Sequence, residues 1–299
     1  SPRGAVVEGG AVTVTVAFTN RNGFAPATGV ALAVETPKGL TARPVGAVTA
    51  ASVAPGETFS AAFEITLTGS VDALVTRVRA TASYHGGASK GPAGAADTPR
   101  GSASASVRLM AGTGVRDPNR TANFNDAVFG QAGAALAIEG AGADLWAGTN
   151  QFGSIHRAGA FGTASTATVK VVSQDGTGGW ARAGLIVRND LSTDGSPGYV
   201  NLAVTPSNGC VLSWDSGQDG TFDSIRLAGS FAAPVFLRLT RAGSAYTGEA
   251  STDGTTWTTV GTATPGGAAD TQDVGVFMTA ANGWTSTRGI AEFQDFTVS

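Results

Sequence analysis

From Val12 to Phe18 apolar side chains take every second position, Val12, Val14, Val16 and Phe18, with Thr13, Thr15 and Ala17 between them. Alternation with that period puts one set of side chains on each face of an extended strand. Phe59, Ala61, Phe63, Ile65 and Leu67 repeat it, and residues 31–35, 40–48 and 74–84 carry shorter versions. Turn-forming stretches at 20–23, at 37–39 and at Pro55-Gly56 separate these runs. Short alternating strands at this spacing over residues 5–109 predict a two-sheet antiparallel sandwich of the immunoglobulin-like kind. A Gly-, Ala- and Ser-rich stretch, 86–104, reads as a flexible loop before a last strand at 105–110.

After a polar connector at 111–119 the pattern changes. Strand-sized runs recur through residue 298, many of them apolar on both sides of the alternation, so the sequence predicts many antiparallel strands and no helix longer than a turn or two. That points to a jelly roll of two curved sheets over 111–299, following the first domain at 1–110. The run Trp180-Ala-Arg-Ala-Gly-Leu-Ile-Val-Arg188 reads as its central strand, with Gly184, Ile186 and Arg188 on one face and Leu185 and Val187 on the other. A polar turn at 189–198 follows. The chain is thus expected to be all-β throughout.

Composition narrows the functional classes. The 43 Gly, with dense Ala, Thr, Ser and Val, fit a turn-rich β protein. Only 14% of residues are charged and the net charge is −3, which argues against a nucleic-acid partner. No run of 18 apolar residues exists to span a membrane as a helix. The single Cys210 rules out an internal disulfide and a cysteine metal site, and it sits in an apolar strand as a small hydrophobe. The start at Ser1, with neither Met nor a signal peptide, reads as a mature or excised piece of a longer chain. Residues 1–110 hold nine Lys/Arg and six Asp/Glu, and residues 111–299 hold ten and sixteen, so the acid excess belongs to the second domain. It consists mostly of Asp in Gly- and Ser-rich turns, where a carboxylate supports the turn or ligates a hard cation.

Two resemblances attach to these residues. The run 12–20, then Thr36-Pro37-Lys38-Gly39-Leu40, then Val53-Ala54-Pro55-Gly56-Glu57, resembles the Ig-like accessory domain that follows the catalytic module of bacterial alpha-galactosidases and related secreted glycosidases. In the second domain, Gly142-Ala143-Asp144-Leu145-Trp146 with Gln151-Phe152, then 180–188, then Ala203-Val204-Thr205-Pro206 with Asn208-Gly209, then Leu237-Arg238-Leu239 and 251–257, resemble the concanavalin-A-like, laminin-G-like jelly rolls appended to secreted bacterial glycosidases. The first resemblance implies a spacer and packing module. The second implies a fold shared by lectins, hydrolases and inert spacers.

A glycosidase of the jelly-roll kind needs two carboxylates flanking the scissile bond. Glu139, Glu249 and Glu292 are isolated and no Glu-x-Asp-x-x-Glu pattern occurs, so no catalytic residue is assigned. A nucleophile triad would need a histidine, and only His85 and His156 exist. Sugar binding asks less, namely an aromatic face with hydrogen-bonding neighbours. Trp284, Trp146, Trp180, Arg188 and His156 are the candidates, although each Trp also reads as a packing residue. Arg188 can fork to an acidic sugar or to a carboxylate of the protein itself. Asp215, Asp219 and Asp223 stand at positions 1, 5 and 9 of an EF-hand-like loop with Gly220 at position 6, so calcium is the cofactor candidate. Position 3 is Gly217 and position 12 is not Glu, so an Asp-Gly hairpin between Trp214 and Ile225 is the other reading.

These readings together predict a secreted, extracellular, non-catalytic accessory region of a bacterial glycoside hydrolase. Its expected partners are a polysaccharide or glycan and a catalytic domain. The alternative is a purely structural or adhesion module without glycan affinity.

Overall fold

The computed structural model describes residues 5–7, 10–71, 73–86, 100–146, 148–281 and 287–299. The chain divides into two compact units, 1–113 and 114–299. The division lies past the boundary expected after Met110 because the last strand of the first unit runs on through Gly112, pairing Ala111 and Gly112 with Val6 and Val7.

In the first unit the strands are β1 (Ala5–Val7), β2 (Ala11–Thr19), β3 (Ala27–Glu35), β4 (Leu40–Val45), β5 (Thr49–Val53), β6 (Thr58–Leu67), β7 (Val75–His85) and β8 (Arg100–Gly112). They form a five-stranded sheet in the order β1-β8-β7-β3-β5 and a three-stranded sheet in the order β2-β6-β4. The alternation read in the sequence decides what faces inward. Val12, Val14, Val16 and Phe18 of β2 meet Val30, Leu32, Phe63, Ile65, Val78 and Leu109 in one core, while Thr13, Thr15 and Ala17 point out. The loop expected over 86–104 ends earlier than predicted, since β8 begins at Arg100 and pairs along the whole of β7. Small Ser and Ala residues carry no strong strand signal of their own, and the partner strand supplies it.

In the second unit the strands are β9 (Arg120–Asn123), β10 (Val128–Ala132), β11 (Ala135–Gly140), β12 (Gly153–Phe161), β13 (Thr166–Gln174), β14 (Arg182–Arg188), β15 (Val200–Thr205), β16 (Gly209–Trp214), β17 (Ser224–Ala228), β18 (Val235–Ala242), β19 (Ala245–Ser251), β20 (Thr258–Ala263), β21 (Gln272–Thr279) and β22 (Gly289–Val298). Residues 124–127 form the turn between β9 and β10, held by Asn123 Oδ1 accepting from Ala127 N at 2.7 Å. Two antiparallel seven-stranded sheets result, one ordered β10-β11-β22-β13-β18-β19-β20 and the other β17-β16-β15-β14-β21-β12-β9. The predicted all-β architecture, a sandwich followed by a two-sheet jelly roll, is what the chain forms.

The 180–188 run lies where its pattern placed it, with β14 at the centre of the second sheet between β15 and β21. Ala183, Leu185 and Val187 face the other sheet and pack with Val200, Leu202, Leu237, Val276 and Phe293 in the main core. Cys210 belongs to this core and is free, and burial pushes its thiol up to about 12. The opposite face of the same strands is also sealed. Ile186, Ala203, Val211 and Phe277 lie under Leu145, Leu191, Tyr199 and Phe222, which are brought in by three loops. Strands covered on both faces read as continuous apolar runs, which explains why β14, β15, β16 and β21 show so little alternation.

Candidate functional site

The face of the second sheet turned away from its partner is floored by β14, β15, β16, β21 and β12 and roofed by residues 141–152, 189–199 and 215–223. Several floor residues are polar and buried: Arg182, Arg188, Asn201, Ser213, Thr279, Ser154 and His156. Each roof loop is fastened to one of them or to its neighbour.

Arg188, with no exposure, fastens two loops at once. Its Nε donates to Ser196 O of the 189–199 loop, and its Nη2 donates to Gly220 O of the 215–223 loop at 3.0 Å. The guanidinium carbon stands 4.3 Å from the centre of the Tyr199 ring, and that ring stacks on Phe222 at 3.9 Å. Burial pushes the Arg188 pKa down, opposed by Tyr199 and by Asp194, Asp215 and Asp190. Its partners are thus internal, as one reading of the sequence held, but they are carbonyls and a ring in place of a carboxylate. At the other end of β14, Arg182 is 2% exposed and reaches Asp144 of the 141–152 loop at 3.5 Å. Burial lowers its pKa too, with Asp144 opposing. The roof loops are also tied to each other, since Asn150 donates to Asp194 and accepts from the Tyr199 hydroxyl at 3.0 Å.

Not all of the floor is satisfied. Asn201 Nδ2 and Oδ1, Ser213 Oγ, Thr279 Oγ1, Arg182 Nε and Nη1, and Arg188 Nη1 are buried without a protein hydrogen-bond partner. Asn201 and Ser213 are direct cross-strand neighbours, as are Arg182 and Thr279. Polar atoms in such positions are commonly met by internal water.

His156 lies on the same floor, 3% exposed, with Nδ1 3.4 Å from Ser154 Oγ and Nε2 3.8 Å from Asp273 Oδ2. The order Ser, His, Asp matches a nucleophile triad, but the placement does not. Ser154 is buried, and Asp273 is engaged in accepting from Gly159 N at 2.8 Å and Leu191 N at 3.1 Å. The group links β12, β21 and a roof loop.

The sequence-based site residues therefore separate. Arg188 and His156, candidates for sugar contact in the sequence, are buried beneath the roof. Trp146 is half-buried on the 141–152 loop, and Trp180 is 40% exposed just before β14, with the Arg182 guanidinium 6.0 Å from its ring. Both lie at one end of the sheet: Ala280 N donates to Ala141 O at 3.1 Å, and Thr177 Oγ1 donates to Ala280 O at 2.7 Å. Arg188 and the 215–223 loop occupy the other end, six residues or roughly 20 Å along β14. Trp284 falls outside the described residues. Trp214 is a core residue, and Trp257 packs under Arg238 at 4.1 Å. The roof residues Leu191 and Phe222 escaped sequence reasoning. Their signal was a large apolar side chain isolated in an otherwise polar loop.

The Asp215–Asp223 segment is a hairpin loop, because Trp214 pairs with Ser224. A Cβ placed on Gly217 would stand 3.5 Å from Asp223 Oδ2, 3.8 Å from Asp215 Oδ1 and 3.9 Å from Asp219 Cγ, so the three carboxyl groups surround one small hollow. Their oxygens, however, are aimed at the loop itself. Asp215 accepts from the amides of Gln218 and Gly220, both at 2.8 Å, Asp219 from Thr221 N at 2.9 Å, and Asp223 from Ser216 N at 3.1 Å and Ser216 Oγ at 2.8 Å. These hydrogen bonds hold the Asp219 and Asp223 pKa values down, through Thr221 for Asp219 and through Ser216 against desolvation for Asp223. Among the described residues no three His, Cys, Asp or Glu side chains are grouped as a metal would require. The donors present fit a self-capped turn better than an ion.

Two outcomes follow. EDTA is expected to leave the melting temperature unchanged, and a fall of several degrees that calcium reverses would show that the loop holds the ion. Burial holds the His156 pKa below its ordinary 6.5, with Asp273 and Asp190 opposing. The unfolded chain then takes up a proton that the folded chain resists, so His156's contribution is fully present above about pH 6.5 and is lost as the pH falls below it. Denaturant melts from pH 7.5 to 5 should show this loss, and His156→Gln should flatten it.

No curated protein sequence matches the chain. Among solved structures, a functionally unknown protein from Saccharomyces cerevisiae is similar with a TM-score of 0.48 at 18% identity, over 61% of this chain and 96% of its own. The GH43 protein BlXynB from Bacillus licheniformis gives 0.38 at 14% identity, over 76% of this chain and 54% of its own. The exoplasmic/lumenal domain of VIP36 in a Ca2+/Man2-bound form gives 0.38 at 13% identity, over 61% of this chain and 84% of its own. Within the first unit, residues 6–85 match the sequence model of the NPCBM-associated NEW3 domain of alpha-galactosidase, the kind of accessory domain that its strands and turns resembled.

Proposed function

We propose that this chain is a non-catalytic accessory region of a secreted bacterial glycoside hydrolase, and that its second unit holds glycan at the rim carrying Trp180. The match to the NEW3 domain supports the link to a glycosidase. The exposed indole of Trp180 carries the binding reading, because an exposed aromatic ring at the rim of a sheet is what stacking on a pyranose asks for. Trp146 stands at the same end of the sheet and adds apolar surface. The floor of the second sheet is not the binding surface in this reading. Among the described residues its roof leaves no open groove on which two carboxylates could flank a glycosidic bond.

Catalysis is absent from the proposal for a further reason. Acidic side chains that a hydrolase would free for acid and base work are engaged here: Glu139 with Arg288 at 3.1 Å, Glu249 with Arg238 at 2.7 Å, and Asp144 with Arg182. Paired carboxylates of this kind serve as structural contacts.

Glycan arrays followed by calorimetry on the full chain test the proposal. Binding to a plant, algal or host glycan is expected, and Trp180→Ala should weaken it at least tenfold, about 1.4 kcal/mol, without changing the melting temperature. Undiminished binding by Trp180→Ala would place the site elsewhere. Silence against all these glycans would leave support of a catalytic domain, or a structural or adhesion role, as the function.

A further inference from the structure

The two sheets of the first unit are unequal, five strands against three, and the shorter one stops at β2. The β2 edge differs from the other sheet edges described. It is nine residues long, Ala-Val-Thr-Val-Thr-Val-Ala-Phe-Thr, with no charge, no proline and an unbroken register to β6. The opposite edge, β4, carries Arg43 and Pro44, and in the second unit the edge strands β9, β10, β17 and β20 have four to six residues each. Shortness, charge and proline are the usual ways of blunting an edge, and β2 uses none of them.

Its backbone is turned outward for pairing. Asn20 N donates to Glu57 O, and this pair continues the β2–β6 register, so even-numbered residues of β2 bond to β6. The N–H and C=O groups of Thr13, Thr15 and Ala17 therefore point to the open side.

The sheet opposite shows the same vacancy. Ala103 and Ala105 of β8 pair with Ala82 and Ala80 of β7, on the side that faces the core, yet both are exposed. Among the described residues, no strand of the three-stranded sheet lies beneath them. β1 covers only the far end of β8, from Met110 to Gly112. Between the β2 edge and these alanines runs a groove of two overlapping stretches of about 500 Å³ each, one beside Val16 to Asn20 and the other beside Thr13 to Ala17.

We propose that this groove receives a single extended peptide segment of a partner protein, added as a fourth strand beside β2. The lining fixes its chemistry. Small apolar residues at alternate positions would face Ala80, Ala103, Ala105 and Val107, polar residues would face solvent, and acidic or basic groups are disfavoured along the inward side. Main-chain hydrogen bonds to Thr13, Thr15 and Ala17 supply the affinity, and the shallow alanine floor excludes bulky side chains. A second copy of this chain fits less well, since its own β6 would follow β2 into a space bounded by β8.

The test uses the full chain and a blocked nine-residue peptide alternating valine or alanine with serine, with a lysine at each end. Hydrogen exchange and calorimetry read the outcome. The peptide should slow exchange of the Thr13, Thr15 and Ala17 amides and bind saturably in the micromolar range. Thr15→Pro removes one outward N–H that β6 does not use, an edge position where proline is tolerated. Ala105→Phe plugs the groove from an exposed site without touching β2. Each should weaken binding at least tenfold at an unchanged melting temperature, and if Thr15→Pro lowers that temperature, Ala105→Phe decides. Absence of protection at millimolar peptide would overturn the proposal, as would amides already protected in the chain alone. Self-association abolished by Thr15→Pro would also overturn it, by making a second copy the occupant.

Discussion

Arg188 carries a charge into a place that water does not reach, and an isolated buried charge costs several kcal/mol. The second unit is arranged so that this charge is never isolated. Two carbonyls from different loops accept its hydrogen bonds, the Tyr199 ring lies against it, and Asp190, Asp194 and Asp215 surround it at longer range. The dependence runs both ways. Ser196 and Gly220 sit in loops composed mainly of polar and glycine residues, each carrying only one or two large apolar side chains onto the sheet, and the guanidinium gives both loops one anchor. Asp215 then shapes the turn around Gly220, and Phe222 and Tyr199 close over the sheet.

That arrangement changes what a jelly roll of this kind offers to a ligand. With the roof in place the outer face of the second sheet is a second core that includes the buried His156, and the exposed aromatic surface is left to the ends of the strands. Trp180 marks one end and the self-capped Asp215–Asp223 loop the other. The two proposed contacts, a glycan at Trp180 and a peptide strand at β2, accordingly lie at a rim and an edge. The two surfaces belong to different units and draw on different physics, a stacking ring in one and unpaired backbone in the other.

Much of the fold was legible because it rests on period-2 alternation. Val12 to Phe18 and Phe59 to Leu67 announced their faces, and the split of Leu185 and Val187 from Ile186 and Arg188 was readable from position alone. The site was harder to read. A tryptophan, an arginine and a histidine within a recognisable pattern look alike in sequence whether they face solvent or a roof, and exposure depends on loops whose packing is non-local. Leu191 and Phe222 decide that Arg188 and His156 are covered, yet each is a single apolar residue among Asp, Ser, Thr and Gly. The carboxylate spacing at Asp215, Asp219 and Asp223 was equally ambiguous, because the residues that ligate a cation also cap turns. Only the direction of their oxygens separates the two uses. The open edge of β2 could not be inferred from its own residues, since the order of strands within a sheet is set by the whole chain.

The central claim is that Arg188 holds the roof shut over the second sheet. Native-state hydrogen exchange on the parent chain and on Arg188→Met, which keeps the volume and removes the charge, tests it most directly. The amides of Leu191, Gln218 and Gly220 should be protected in the parent and exchange at least tenfold faster in the variant, while those of β14 and β15 keep their protection. Equal exchange of the three loop amides in the two proteins, or their exchange within seconds in the parent, would contradict it.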